Sequence, residues 1–316
     1  MLPCITATAQ DTAKVYHHEL TAVTDNDDYT WRYTDRYYSN GLFLKYTTAL
    51  GDIDAKTNKG IKKILTIELG QKMYNPYRHD TAYLKGLDRP FAGELSLKAT
   101  VTRINKNENV FQWGVQTGIM GPDAFGKQVQ TWWHGAFNIL RIYGWDTQLA
   151  NEPFVNASAS YHYHLIKHQP EKPWYDAHAF VAGTLGNNLT AFNAGLQFKI
   201  GAFEKASESV AWSARVQRNK IPEQHRRNHE VYFYFEPQIT LQAYNAVLQG
   251  GLFKKAAEKG FYYTGIHHFV YQHRFGILYA QDAWTLQLGY TFKTREAIHQ
   301  IAIENYGTIR VSVRFK

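Results

Sequence analysis

Apolar and polar side chains alternate along most of this chain. In residues 309–315 every second residue is isoleucine, valine or phenylalanine, and the residues between them are arginine or serine. Residues 65–70 and 94–102 show the same alternation. Because successive side chains of a β-strand point to opposite faces, this period predicts strands that separate an apolar environment from a polar one.

The alternating segments, bounded by turn residues, predict about twelve strands. The final region is long enough to be divided again, and residues 229–248 fit one long tilted strand. The predicted strands cover residues 16–25, 35–50, 62–74, 93–105, 109–120, 153–167, 174–186, 189–201, 208–219, 229–248, 265–280 and 283–315.

Charges inside these strands favour a membrane barrel over a soluble β-sandwich. Glutamate and lysine alternate with leucine within residues 94–102. An unpaired charge is costly in a dry core, whereas the lumen of a transmembrane barrel is polar. The last predicted strand also carries Phe315 next to its end, as outer-membrane barrels usually do. We therefore expect an all-β fold, a twelve-stranded antiparallel transmembrane β-barrel formed as a single domain by residues 10–316.

The predicted connections form two sets. Residues 51–60, 105–109 and 167–173 are short and polar. The connections that alternate with them, residues 25–33, 75–90 and 121–153, are longer, and residues 124–140 read as a short helix. Since consecutive connections of an antiparallel barrel lie at opposite ends, the long ones share one rim, which faces outside the cell if the N-terminus is periplasmic.

The composition indicates which classes of partner the chain binds. The formal net charge is +8, but the lysines and arginines are dispersed, without the block typical of a nucleic-acid-binding arm. A solvated basic surface accounts for this charge as well as an anionic partner does. We expect a monomer among outer-membrane lipids, with lipid rather than nucleic acid as the charged partner. Residues 1–9 resemble the tail of a signal peptide, because Ala7-Thr8-Ala9 fits a cleavage site, although a disordered tail explains them equally well.

The segment Asn26-Asp27-Asp28 is a candidate metal site. Its carboxylate and amide oxygens are ligands that a hard cation such as calcium prefers. Ser39 and Asn40 begin the next predicted strand, at the same rim. Taken alone, the segment is more simply an ordinary polar loop.

His134 is the candidate base. It lies on the predicted helix beside Trp132 and Trp133, where a histidine is more often part of the packing than a catalyst. Its position at the outer rim makes proton abstraction from water an alternative, because imidazole titrates near neutral pH. Ser39 lacks the Gly-x-Ser-x-Gly context of a nucleophile elbow, so an oxyanion or metal-shell role is preferred.

Other histidines and cations are weaker candidates. His162 and His164 fall on one strand face as a candidate metal pair, but the sequence indicates no third ligand. Basic residues near the outer rim, among them Arg36, Lys85 and Arg89, could bind phosphates, although each separately reads as a solvated charge.

Six ordered segments resemble the lipid A 3′-O-deacylase family. They are Asn26–Asp28 with Thr34–Gly41, Gln71–Pro76, Asp88–Gly93, Gly121–Asp123, Gln128–His134 and Gly144–Leu149.

The resemblance implies a twelve-stranded outer-membrane barrel that removes the 3′-linked acyloxyacyl chain of lipid A in a calcium-dependent reaction. It makes His134 the general base and assigns Ser39 to the oxyanion. Asn26 and Asp27 become catalytic residues associated with the metal, with Asp28 as a further ligand. Expected contacts to lipopolysaccharide come from Arg36, Asn40, Lys85, Arg89 and Gln130. Leu140 departs from the family, which has an acidic residue at that position.

Two alternatives remain open at this stage. One is an outer-membrane phospholipase A-type esterase, whose Ser/His/Asn set cannot be assembled around Ser39. The other is a catalytically inactive pore or binding barrel.

Overall fold

Twelve antiparallel strands close into one barrel, with β1 pairing β12. The computed structural model describes residues 15–30, 35–54, 59–77, 87–137, 142–166, 173–218, 229–253 and 264–316. Residues 1–9, Lys85 and Leu140 lie outside this described part. None of the helices among the described residues is long and apolar enough to cross a membrane.

The strands are β1 (His18–Asn26), β2 (Tyr37–Asp54), β3 (Lys59–Asn75), β4 (Ala92–Ile104), β5 (Val110–Met120), β6 (Glu152–His164), β7 (Tyr175–Gly186), β8 (Leu189–Ala202), β9 (His229–Asn245), β10 (Phe269–Gln281), β11 (Trp284–Lys293) and β12 (Glu304–Phe315). The helices are α1 (Gly126–Phe137) and α2 (Ala246–Gln249), with short 3-10 helices at Asp27–Thr30, Pro122–Ala124, Trp145–Thr147 and Val210–Trp212.

The predicted barrel and its strand number are confirmed, but two strand assignments change. The strand predicted for residues 208–219 is wrong: residues 208–218, the described part of this range, contain the 3-10 helix Val210–Trp212 and turns. Residues 283–315 divide into β11 and β12, which restores the total of twelve. The first prediction was wrong because Val210, Ala214 and Val216 are buried inside the barrel mouth, so their spacing imitates the alternation of a strand.

Strand β5 shows which of its alternating side chains face lipid and which face the lumen. Trp113 and Val115 are 48% and 49% exposed on the outer surface, where lipid surrounds the barrel. Gln116, next in sequence, points inward and donates from Nε2 to Ser96 Oγ of β4 at 2.9 Å. The inward face therefore pairs polar groups across strands, while the outward face is apolar.

Charged lumen residues also pair across strands. Lys45 of β2 lies 2.7 Å from Glu68 of β3, and Lys72 lies 3.1 Å from Glu94 of β4. Lys45 and Glu68 face each other in the strand register, as do Lys72 and Glu94. The glutamate–lysine alternation in the sequence thus becomes ladders of opposite charge on the inner wall, where each charge has a partner.

The two ends of the barrel differ. We call the end where β1 starts and β12 finishes the terminal end, and the opposite end the loop end. The β1–β2, β3–β4 and β5–β6 connections lie at the loop end, which is the shared rim that the sequence predicted. The β11–β12 connection, which the sequence placed within a strand region, lies there too.

Residues 203–218, here called the plug, cross the terminal end. They form side-chain contacts with the wall in several directions. Ser213 Oγ donates to Glu19 of β1 at 2.7 Å, and the Trp212 ring lies 4.9 Å from the ring of His162 of β6. The plug also packs against apolar residues of β3, β4, β5, β9 and β10: Ile64, Ile104, Val110, Tyr232, Tyr234, Leu278 and Ala280. A segment that reaches strands around most of the circumference must lie across the mouth.

A buried ion pair holds the plug. Arg215 Nη2 lies 2.9 Å from Glu230 Oε1, and both side chains are almost completely buried. The same carboxylate accepts bonds from Ser209 Oγ at 2.7 Å and from the Val210 N–H at 3.1 Å. A buried carboxylate is tolerated when its oxygens are saturated in this way.

Replacing Arg215 by methionine should destabilise the barrel by about 3–5 kcal/mol, because the buried charge of Glu230 loses its counter-ion. Lys127→Met is the matched control, since Lys127 pairs with Asp146 at an exposed position and should cost at most about 1 kcal/mol. Denaturant unfolding in detergent, followed by circular dichroism, measures both. Equal midpoints for the two variants would contradict this account of the plug.

Candidate active site

Helix α1 is anchored against the barrel wall at the loop end. Before it, the chain turns at Gly121, whose φ of 106° is in the left-handed region. The carbonyl of Ala124 accepts a bond from Gln71 Nε2 of β3 at 3.2 Å. Behind the helix, Trp145 and Phe91 pack with ring centroids 5.4 Å apart. The helix is thereby fixed relative to the strands that carry the other candidate residues.

His134 of α1 faces Asp35, which precedes β2. Its Nε2 lies 3.4 Å from Asp35 Oδ2, and the imidazole is about 5% exposed. Gln130, one helical turn earlier, donates from Nε2 to Asp35 Oδ1 at 3.3 Å. Trp145 Nε1 donates to Gln130 Oε1 at 2.5 Å. Both oxygens of Asp35 therefore point to the helix, and the tryptophan fixes the amide of Gln130.

The acidic segment lies directly after β1. Asp27 is 2% exposed and its Oδ2 accepts the N–H of Arg36 at 2.7 Å. Asn26 Oδ1 accepts the N–H of Asp28 at 2.7 Å. Arg36 follows Asp35 in the chain, so one dipeptide contacts both His134 and Asp27. The structure thus brings the predicted base and the predicted metal ligands to the same rim.

Ser39 and Asn40 lie at a β-bulge in β2, where the register to β3 shifts. Ser39 is fully buried, and its hydroxyl donates to the carbonyl of Met73 at 3.5 Å. Asn40 lies opposite Asn26 in the register, and its Oδ1 is buried with no hydrogen-bond partner among the described residues.

The oxygen donors at this rim fit a hard cation. Asn26, Asp27, Asp28 and Asn40 carry carboxylate and amide oxygens at two adjacent strand ends. This donor set suits calcium better than a transition metal.

The predicted substrate contacts differ in their surroundings. Arg36 is half-buried, with its guanidinium carbon 3.8 Å from the centroid of the Tyr77 ring. Arg89 is completely buried, 3.1 Å from Glu296 Oε1, and its guanidinium lies over the Tyr74 ring. Burial alone would raise the pKa of Glu296, but Lys293 and Arg89 outweigh it and lower that pKa below its usual value. Arg89 therefore links the β3–β4 connection, which carries it, to Glu296 in the β11–β12 connection.

Several residues at this rim were not identified as functional from sequence. Asp35 is the most important of them. It was missed because its partner Gln130 is 95 positions away, and no sequence period connects residues so far apart. Asp88 accepts bonds from the Tyr37 hydroxyl at 2.8 Å and from the Ile301 N–H at 3.1 Å, and so joins two loops. In the sequence, Asp88 and Trp145 read only as loop structure.

A second cluster of potential metal ligands lies at the terminal end. His164, Asp176 and His178 each offer one ligand atom, and these atoms lie within 4.8 Å of one another. The sequence suggested pairing His164 with His162 and showed no third ligand. His162 instead contacts Ser160 and Gln197, and the neighbouring strand β7 supplies the partners of His164.

Comparison with known proteins agrees with the fold. The family model described as outer membrane protein LpxR matches residues 1–315. The solved structure of LpxR from Salmonella typhimurium superposes with a TM-score of 0.75 at 18% identity, covering 94% of this chain and 100% of that one. The β domain of the Bordetella autotransporter BrkA gives a TM-score of 0.47 at 10% identity, covering 96% and 99%. Among curated protein sequences, none matches this chain.

Gly121→Ala should loosen α1. A Cβ at residue 121 would lie 2.6 Å from the backbone nitrogen of Asn151, and the left-handed φ adds strain of about 1–3 kcal/mol. Gly135→Ala is the control within the helix, because its Cβ meets nothing within 4 Å and alanine favours a helix by about 1 kcal/mol. Hydrogen exchange of the α1 amides should accelerate in the first variant and not in the second. Unchanged exchange in Gly121→Ala would show that this turn does not position the helix.

Proposed function

The chain belongs to the LpxR family of outer membrane proteins, and we propose that it hydrolyses the 3′-linked acyloxyacyl ester of lipid A in the outer leaflet. The protein lies in the bacterial outer membrane, where this lipid is its neighbour. The observation that carries the proposal is the contact of Asp35 with His134, while the next residue, Arg36, binds Asp27. A base, an orienting carboxylate and an oxygen-rich cation site then meet at the rim that faces outside.

In the proposed reaction, His134 activates water. The Nε2–H of the imidazole is directed at Asp35, so Nδ1 takes the proton as the water oxygen attacks the ester carbonyl. The carboxylate of Asp35 holds this tautomer and stabilises the imidazolium that forms. When the tetrahedral intermediate breaks its bond to the sugar oxygen, the imidazolium returns the proton to that oxygen. The products are a free acyloxyacyl acid and a sugar hydroxyl.

The negative charge on the carbonyl oxygen needs stabilisation near Asp27. Calcium held by Asn26, Asp27 and Asp28 would polarise the ester carbonyl and stabilise the oxyanion. Ser39 is assigned to the same oxyanion through its N–H or hydroxyl. The Ser39 hydroxyl donates to the Met73 carbonyl, so it must turn away from that carbonyl if it is to bind the oxyanion, whereas the N–H needs no such rotation.

Substrate phosphates and sugar hydroxyls are assigned to the surrounding polar residues. Arg36 offers a half-buried guanidinium, and Asn40 and Gln130 lie beside the acidic segment and the base. Direct contacts of Arg89 and Lys85 with the substrate stay predictions. The guanidinium of Arg89 is buried against Glu296, and Lys85 lies outside the described residues. A monomer is the proposed active unit.

A phospholipase-type esterase has a specific observation in its favour. Ser160 Oγ lies 3.2 Å from His162 Nε2, and His162 Nδ1 lies 3.0 Å from Gln197 Oε1. This is a serine–histidine–amide set on strand faces. It lies in the wall next to the plug, away from the loop end, so we prefer the rim site. The plug also argues against an open pore.

His134→Ala should abolish deacylation, because no base remains to activate water. The readout is the mass spectrum of lipid A from cells that express the protein. The barrel should stay folded, as shown by its heat-modifiable migration, and Ser160→Ala should retain full activity. Chelator should also suppress the wild-type reaction, and calcium should restore it. Undiminished acyl-chain loss in His134→Ala would reject the proposal, and loss of activity in Ser160→Ala would favour the phospholipase-type set.

Asp35→Asn should reduce kcat by about 10²- to 10⁴-fold with little change in KM, since the tautomer and charge of His134 lose support but substrate contacts remain. Asp35→Glu, which keeps the carboxylate, should recover part of the rate. Purified barrel in mixed micelles with lipid A gives both constants. A change in KM alone would instead place Asp35 among the substrate-binding residues.

A further inference from the structure

Two neighbouring strands, β6 and β7, bring a histidine pair and a carboxylate together at the terminal end. His164 finishes β6 and lies directly opposite His178 of β7, with ring centroids 4.9 Å apart. Asp176 precedes His178 by two residues, so both side chains leave the same face of β7. Each of the three side chains is less than a tenth exposed.

The distances between the donor atoms suit a small cation. His164 Nε2 lies 2.9 Å from Asp176 Oδ1, and His178 Nδ1 lies 3.5 Å from Asp176 Oδ2. Zinc binds nitrogen and oxygen at about 2.0–2.2 Å, so neighbouring ligand atoms around it are roughly 3–3.6 Å apart. Each nitrogen–oxygen distance is close to this range, although the two distances run to different oxygens of the carboxylate, and one ligand atom from each residue lies within 4.8 Å of the others.

The contacts of His178 direct its Nδ1 at the carboxylate. Its Nε2 lies 3.1 Å from the carbonyl oxygen of Glu108, which can only accept, so Nε2 carries a proton. In the neutral ring, Nδ1 then directs a lone pair towards the Asp176 carboxylate. The Lys199 ammonium places one positive charge beside this carboxylate, and a metal ion between the ligand atoms would supply another. A backbone carbonyl on the remote imidazole nitrogen is also the usual support of a metal-ligating histidine.

Lys199 fits this arrangement as a support. Its ammonium lies 2.8 Å from Asp176 Oδ2 and 4.8 Å from the centroid of the Phe203 ring. It therefore binds the oxygen that faces away from His164, while Oδ1, which also accepts the Ala177 N–H at 2.9 Å, is the oxygen that faces His164. A carboxylate that binds metal through one oxygen commonly accepts a hydrogen bond at the other.

We propose that His164, Asp176 and His178 bind a transition-metal dication, with Zn²⁺ as the best fit. Two imidazoles and one carboxylate favour such an ion over calcium or magnesium, which prefer oxygen ligands. The site is separate from the rim that carries the proposed hydrolysis and does not depend on it. A bound ion would tie β6 to β7 beneath the plug, whose Trp212 ring lies 6.3 Å from that of His178.

The test uses the full-length barrel in detergent, stripped with chelator and then titrated with Zn²⁺ in excess calcium, which fills oxygen-only sites. Isothermal titration and elemental analysis after desalting should give one zinc per chain. His164→Gln and His178→Gln should each weaken binding at least 100-fold. His162→Gln is the matched control, because His162 faces the lumen two residues from His164 but contacts Ser160 and Gln197, and it should bind zinc as the wild type does.

Cobalt gives a readout that needs no variant. Co²⁺ in the wild-type site should show the intense visible absorption of a four-coordinate site with nitrogen ligands, and Zn²⁺ should remove it. Absence of zinc in the stripped and reloaded wild type would overturn the proposal. So would full binding in both glutamine variants, because the ion would then lie elsewhere.

Discussion

Every backbone hydrogen bond in the lipid-facing wall must be made within the protein, and closure of the sheet between β1 and β12 is what satisfies this constraint. Closure also gives each strand an inner and an outer face. Apolar residues such as Trp113 and Val115 then belong outside, and charges such as Lys45 and Glu68 belong inside, where they pair. The same closure sends alternate connections to opposite ends, so long loops from distant parts of the sequence meet at one rim.

That rim becomes a site because buried contacts fix its loops. The carboxylate of Asp88 joins the start of β2 to the connection before β12, and Arg89 with Glu296 joins the β3–β4 and β11–β12 connections. Each buried charge would be unfavourable alone, but Arg89 and Glu296 pair with each other and Asp88 accepts hydrogen bonds. These contacts join the loops that surround the rim.

The sequence predicts the barrel well because strand alternation is a local property that each segment shows by itself. It fails at residues 208–219 for the same reason, since Val210, Ala214 and Val216 alternate in a folded plug as they would in a strand. Motif resemblance indicates His134, Asn26, Asp27 and Ser39 as candidates. It does not indicate Asp35 as the partner of His134, or Asp176 as the partner of His164, because both contacts depend on which segments the barrel places side by side.

The two ends also differ in the ions that they could hold. At the loop end the donors are oxygens, from Asn26, Asp27 and Asn40, which suits an ion that exchanges ligands readily and can accept an ester carbonyl as a further ligand. At the terminal end two imidazoles hold a carboxylate beneath the plug, which suits an ion bound tightly and shielded from solvent. In the proposed hydrolysis the ion at the loop end must keep a coordination position for the ester, whereas the ion proposed at the terminal end only has to join β6 to β7. The two proposals therefore place different chemistry at the two ends of the barrel.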